Sequence, residues 1–158
     1  MYGSARELFG AAMEAARDAE RISRQLEALD EGSDGLTAGD FEPRVRRTSD
    51  PGRMASMVAR RIEQRARLEE RQDEDYRIID RACELLYGPD NHGGLYALVG
   101  WPADAIYHHY LALRTWEEVG RIMAYHPRYV KERVAWAMDL ADANGEMWTR
   151  LGRGMAEA

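Results

Sequence analysis

Lysine is nearly missing from this chain. Lys131 is the one copy among 158 residues, so arginine carries almost all of the positive charge. The glycine run from Gly88 to Gly94 has no Lys-Ser/Thr ending and is therefore not a phosphate loop. Cysteine is equally scarce: Cys83 stands alone, which excludes an intrachain disulfide and an all-cysteine zinc site. Uncharged apolar runs near the roughly 20 residues that span a bilayer are missing too, so no membrane association is expected. The opening Met1-Tyr2-Gly3-Ser4 has no apolar core behind a basic start, so a signal peptide is not expected either. A reducing, cytoplasmic location follows from these features. A positive net charge is also lacking. At −6, the chain as a whole is not an electrostatic nucleic-acid binder.

What is present points to helices. Charged residues make up 32% of the chain and there are only 5 prolines. The 14 glycines gather in residues 32–52, 88–100 and 145–154, where they punctuate helices. The length suits one or two domains, with room for one modest core.

Leu8, Ala12, Ala15, Ala19, Ile22, Leu26 and Leu29 step alternately by four and three. That spacing predicts a helix over residues 1–30 with one narrow apolar stripe. Three of the seven are alanine, which permits close approach but buries little area. Asp30-Glu31-Gly32 offers a stop. Residues 31–53 read as a flexible linker of turn chemistry, with a small basic run at Arg44-Val45-Arg46-Arg47.

A long helix is predicted over 54–87. Its seam runs Ala55, Val58, Ile62, Arg65, Glu69, Gln72, Tyr76, Ile79, Cys83, Leu86, apolar at both ends and polar in the middle. The polar middle suits a register device. A helix of roughly 50 Å needs a partner. Either the first helix folds back along it, or a second chain supplies the partner and residues 1–87 form a homo-oligomer. Cys83 on this seam reads as a small buried hydrophobe. Residues 88–101 form a Gly-rich connection in which Leu95 to Trp101 is either a turn of helix or an extended bridge.

Residues 102–145 are the informative segment. Pro102 suits a first helical turn, and Ala105, Ile106, His109, Tyr110 and Leu113 share a face. Thr115-Trp116-Glu117-Glu118 is a capping box opening a short helix with Trp116, Val119, Ile122 and Met123 inward. Ala124-Tyr125-His126 makes a break, and Pro127 starts a third helix with Val130, Val134, Ala137, Met138 and Ala141 inside, ended by Asn144-Gly145. A short helix, a tight turn and a longer helix make a helix-turn-helix unit. Its second helix would place Arg128, Tyr129, Lys131 and Glu132 in a major groove. Arginine and lysine reach guanine edges or phosphates, tyrosine meets phosphate, and glutamate accepts from the cytosine amino group. The segment's charge is mixed, but Arg128, Lys131 and Arg133 cluster at the start of that helix.

The run Thr115 to Val130 resembles the helix-turn-helix of region four of bacterial sigma factors. It is closer still to the ArpU/RinA-type phage late-gene transcription regulators, with Trp116, Val119, Gly120, Tyr125 and Val130 matching their pattern. Gly120 stands where that family usually has alanine, His126 where it has a capping serine, and Arg133 where it has an apolar residue. The resemblance covers about 30 residues. It implies an all-α protein, a long helical hairpin or coiled coil followed by a C-terminal three-helix helix-turn-helix domain. It also implies a regulator that binds double-stranded promoter DNA and contacts RNA polymerase, with Thr115, Arg128, Tyr129, Lys131, Glu132 and Arg133 as candidate DNA-binding residues. Alternatives are a DNA-packaging, small-terminase-like protein and a helical protein-interaction module without DNA binding.

Nothing points to catalysis. His92, His108, His109 and His126 have no metal-ligand spacing, and no nucleophile–base pair is found, so the chain reads as a non-enzyme without cofactor or metal. His108-His109 reads as one core-facing and one exposed imidazole. Asp139 and Asp142 read as a solvated face. The tail, 146–158, carries Met147, Trp148 and Leu151 amid glycine and charge.

Overall fold

Ser4 opens the first helix: its Oγ accepts the Glu7 N–H at 3.2 Å, while the Glu7 carboxylate accepts the Gly3 N–H at 2.8 Å. The computed structural model of the chain describes residues 2–34, 51–89 and 91–144. Among these residues there are helices and no strands. In order they are α1 (Ala5–Asp34), α2 (Pro51–Tyr87), α3 (Gly94–Val99), α4 (Trp101–Ile106), α5 (Trp116–Met123) and α6 (Pro127–Asn144). A long helix pair is thus followed by shorter helices. No described helix is long and apolar enough to cross a membrane.

Boundaries differ from the sequence reading in explicable ways. α1 runs on through Gly32 to Asp34, since one glycine costs a helix only about 1 kcal/mol. α2 begins at Pro51, because proline suits the first helical position, where no N–H is required. The Gly-rich connection holds a helix, α3, whose first residue Gly94 has φ +66° and lies against the α2 backbone; a Cβ there would be 2.6 Å from the Leu86 carbonyl. The basic run at 44–47 and the tail from 146 lie outside the described residues.

The fold divides into two compact units, Met1–Arg17 with Asp75–Ala158, and Asp18–Glu74. In the second, α1 and α2 lie antiparallel. Arg71 donates two hydrogen bonds to Asp18, at 2.7 and 2.6 Å. Gln72 Nε2 donates to Ser23 Oγ at 2.8 Å and to the Ala19 carbonyl at 3.2 Å, and Arg65 pairs with Asp30. Of the three polar interruptions of the α2 seam, Gln72 and Arg65 have partners on α1 of the same chain, and Glu69 pairs with Arg65 on α2 itself. Ala19 and Ile22 are buried, while Leu26, Leu29 and Leu68 are half-buried. Toward its start the seam is bare: Ala55, Val58 and Ile62 are exposed.

The first unit has the conventional core. Leu8, Phe9 and Ala12 of α1, Leu85 and Leu86 of α2, Leu95, Ile106, Val119 and the inner face of α6 make one apolar cluster. Two long-range contacts tie the start of α1 to the end of α6. The Ala5 N–H donates to Asp142 Oδ1 at 2.7 Å, and Arg6 pairs with Asp139 at 2.7 Å. These two aspartates were expected to be merely solvated. Instead Asp142 satisfies an open N–H at a helix start, where a negative charge is also favoured by the helix dipole. Tyr87 at the end of α2 donates to Asp104 of α4 at 2.7 Å, and burial with that partner raises its pKa.

Candidate nucleic-acid interface

The site begins with how α4 ends. Beyond Ile106 the backbone widens into a π-helical stretch, Tyr107–Leu111, and the Ala112 N–H reaches back to the Tyr107 carbonyl at 3.0 Å. The expected helix to Arg114 is thus cut short, and Leu113 takes φ +58°. The widening brings His109 onto Trp116 of α5, the rings stacked with centroids 3.8 Å apart. His109 Nδ1 lies 2.8 Å from the Arg114 carbonyl, so it carries a proton and donates. Burial pushes this imidazole's pKa down; the carbonyl bond opposes the shift, and Arg17 and Lys131 reinforce it. His108 and His109 are both half-buried, in place of the one core-facing and one exposed imidazole expected from sequence.

α5 carries the capping box in full. The Glu118 N–H donates to Thr115 Oγ1 at 3.3 Å, and the Thr115 N–H donates to Glu118 Oε2 at 3.0 Å. Val119 is buried and Trp116 and Met123 are half-buried, but Ile122, expected inside, is 43% exposed. In an eight-residue helix packed on one side, Val119 and Gly120 take the buried position and turn Ile122 outward.

The turn is tight. Ala124 takes the left-handed conformation, φ +61°, and the Tyr125 N–H closes on the Gly120 carbonyl at 3.0 Å. Holding a non-glycine residue there costs about 1 kcal/mol or more. Gly120 is the counterpart of that turn. A Cβ at this position would be 2.8 Å from the Tyr125 carbonyl oxygen and 3.1 Å from Pro127 Cγ. The glycine is therefore a steric requirement, not a mild variation on alanine. His126 does cap α6, because its Nδ1 accepts the Arg128 N–H at 3.2 Å, the job a serine hydroxyl would do.

α6 then shows two faces. Val130, Val134, Ala137, Met138 and Ala141 are buried, as the periodicity predicts. Arg128, Tyr129, Lys131 and Glu132 are exposed. Arg128 and Glu132 stand one turn apart, 3.6 Å between Nε and Oε1, with side chains 84% and 65% exposed, a pair contributing little to stability. Lys131 Nζ sits 5.9 Å from the Trp116 ring, which places it beside the start of α5 next to Thr115. The Thr115 hydroxyl is engaged in its cap. Arg133 is half-buried and lies over Trp136, 4.0 Å from the ring centroid. Stacking explains how a charged residue occupies a position where an apolar one was expected, while Val134 points inward.

One group was missed. Trp101 stacks on Tyr125 at 4.7 Å, and Tyr129 sits 5.3 Å from Tyr125 and 6.0 Å from Trp101. This aromatic cluster borders the turn and the start of α6. The signal available was the spacing of Tyr125 and Tyr129 by four residues, which puts both on one edge of the turn. Set against protein-family models, curated proteins and solved structures, the chain matches none of them.

Proposed function

We propose that residues 102–144 form a DNA-reading helix-turn-helix of the sigma region-four kind, in a phage-type transcription regulator that also contacts RNA polymerase. The observation that carries this reading is the two-faced α6. Its buried side is locked in the core, while the first turns hold out Arg128, Tyr129, Lys131 and Glu132. A helix anchored in this way after a tight turn suits entry into a major groove. Arg128 reads a guanine edge or a phosphate, Lys131 and Tyr129 meet phosphates, Glu132 selects against the wrong base, and Arg133 and Thr115 flank the contact.

The test is retention on a pool of duplex fragments at two salt concentrations, with Arg128→Ala/Lys131→Ala beside the wild type. Sequence-selective retention should fall with salt, and the double variant should reduce the salt slope by about 2. No retention at low salt sinks the reading. One observation favours a second reading, a protein-interaction module. Trp101, Tyr125 and Tyr129 form an aromatic patch of the sort found at protein interfaces, beside a helix start of mixed charge.

A further inference from the structure

One side of the α1–α2 hairpin is basic. Asp18 marks it, accepting from Arg71 of α2 and from Arg21 on its own helix. Back along α2 from Arg71, steps of three and four lead through Arg67, Gln64, Arg60 and Ser56 to Arg53. At about 3.6 residues per turn, these six positions lie within about 40° of Arg60 around the helix axis. All six are exposed, and the row they form is about 27 Å long. The carboxylates are elsewhere. Asp30 and Glu69 hold Arg65 on the opposite side of the hairpin. Glu63 and Glu70 lie behind the row, turned away from α1, and Glu74 ends it. Asp18 itself is only 13% exposed and its charge is taken by Arg21 and Arg71. Arg21, Arg24, Arg65 and Arg71 of this unit each have an ion-pair partner, whereas Arg53, Arg60 and Arg67 have none among the described residues.

Three unneutralised guanidinium groups in line on one straight helix are complementary to a regular, rod-like array of negative charge. We propose that the row Arg53–Arg60–Arg67 is a phosphate-binding surface for duplex DNA, which it holds by the backbone without reading bases. A duplex offers one negative charge per roughly 1.7 Å of its axis, so the whole row finds phosphates at once. Ser56 and Gln64, between the arginines, add neutral donors to phosphate oxygens. A single strand binds through aromatic rings that stack its bases, and the row has no aromatic side chain. A lipid surface takes apolar side chains together with cations. Met57 alone stands at the edge of the row, while Val58 and Ile62 lie on the far side of α2 and take no part. The net charge of −6 hides this surface because the signs are segregated around the hairpin. The inference stands whether or not α6 reads a sequence.

The experiment is fluorescence anisotropy of the full chain on a random-sequence DNA duplex over a salt series, with phosphatidylglycerol vesicles in parallel. Three variants accompany the wild type, each checked for unchanged helicity by circular dichroism. Arg53→Gln/Arg60→Gln/Arg67→Gln empties the row, and lysine at the same three positions keeps its charge. Arg24→Gln/Arg77→Gln/Arg81→Gln removes as much charge away from the row. The wild type should bind the duplex at low salt. The glutamine row variant should bind at least about tenfold more weakly, with the slope of log affinity against log salt flatter by about 3. The lysine variant and the off-row variant should bind nearly as the wild type does. No binding of the wild type to the duplex at low salt overturns the proposal, and so does wild-type binding to the vesicles alone. An equal loss in the off-row variant overturns it as well, since net charge would then be the whole effect. A row variant that binds the random duplex like the wild type is equally decisive against it, whatever Arg128→Ala/Lys131→Ala does. That α6 variant reports separately, through the loss of preference among sequences.

Discussion

Phe9, Leu86, Leu95, Ile106 and Met138 are closed off from solvent in the unit that holds α3 to α6, whereas in the unit Asp18–Glu74 Ile22 is the one large apolar side chain buried among the described residues. The first region is held by apolar burial, worth roughly 1.5–3 kcal/mol for each fully buried large side chain. The second is held by alanine contact and by polar pairs. Arg65 with Asp30 is exposed on both sides, and solvent-screened pairs of that kind contribute little. Arg71 with Asp18 is better placed, because the Asp18 side chain is only 13% exposed and accepts both arms of the guanidinium. The difference teaches that the polar seam fixes the register of the hairpin more than its stability.

The largest effect expected on either side of that comparison is at Phe9, fully buried with its ring centroid 6.3 Å from Tyr110. Phe9→Ala should cost about 3–5 kcal/mol in denaturant unfolding. A loss below 1 kcal/mol would mean that the start of α1 is not part of the core.

Gly120→Ala comes next. Alanine gains about 1 kcal/mol in helix propensity, but its methyl meets a backbone carbonyl that can retreat only by opening the turn. The net expectation is a loss of about 1–2 kcal/mol, with the amides of Tyr125 and Arg128 exchanging faster. A stabilised Gly120→Ala variant would show that the turn is looser than its geometry.

Much of this was legible in the residues, and what escaped has physical reasons. The inner face of α6 follows from the helical period alone, and the Thr115–Glu118 capping box from its spacing. At the start of α1 the Ser4–Glu7 spacing was equally readable, although there the Glu7 carboxylate accepts from the Gly3 N–H, one residue before the cap. The bond from Ala5 to Asp142 was not, because it joins residues 137 apart and no local pattern encodes it. The exposed first turns of α6 were legible as a candidate site. The Trp101–Tyr125 stack was not, since it depends on how α4 and the turn are brought together.

In the hairpin, Asp18→Asn should cost about 1 kcal/mol, and less as salt is raised, because it removes the charge and leaves one acceptor oxygen where Arg71 donates to two, at nearly the same volume. A cost of several kcal/mol, or one indifferent to salt, would mean that the seam contributes more to stability than exposed pairs do. That outcome would break the contrast with the apolar unit.

His109 gives the smallest effect and the one with a direction in pH. Its imidazole is held below the ordinary histidine value, first by burial and then by the Arg17 and Lys131 charges, against the pull of the Arg114 carbonyl. Around it stand Tyr110 on its own segment, Trp116 on α5, Lys131 on α6 and Arg17 on α1. A histidine with a depressed folded pKa takes up its proton more readily when unfolded. Its contribution to stability is therefore whole above about 6.5 and is lost as pH falls through that value toward the lower folded pKa. Denaturant midpoints measured between pH 7.5 and 5 should fall for the wild type. They should fall less for His109→Phe, which keeps a ring on Trp116 but cannot titrate. Parallel curves for the two proteins would place the acid sensitivity elsewhere and leave the His109–Trp116 stack as packing alone.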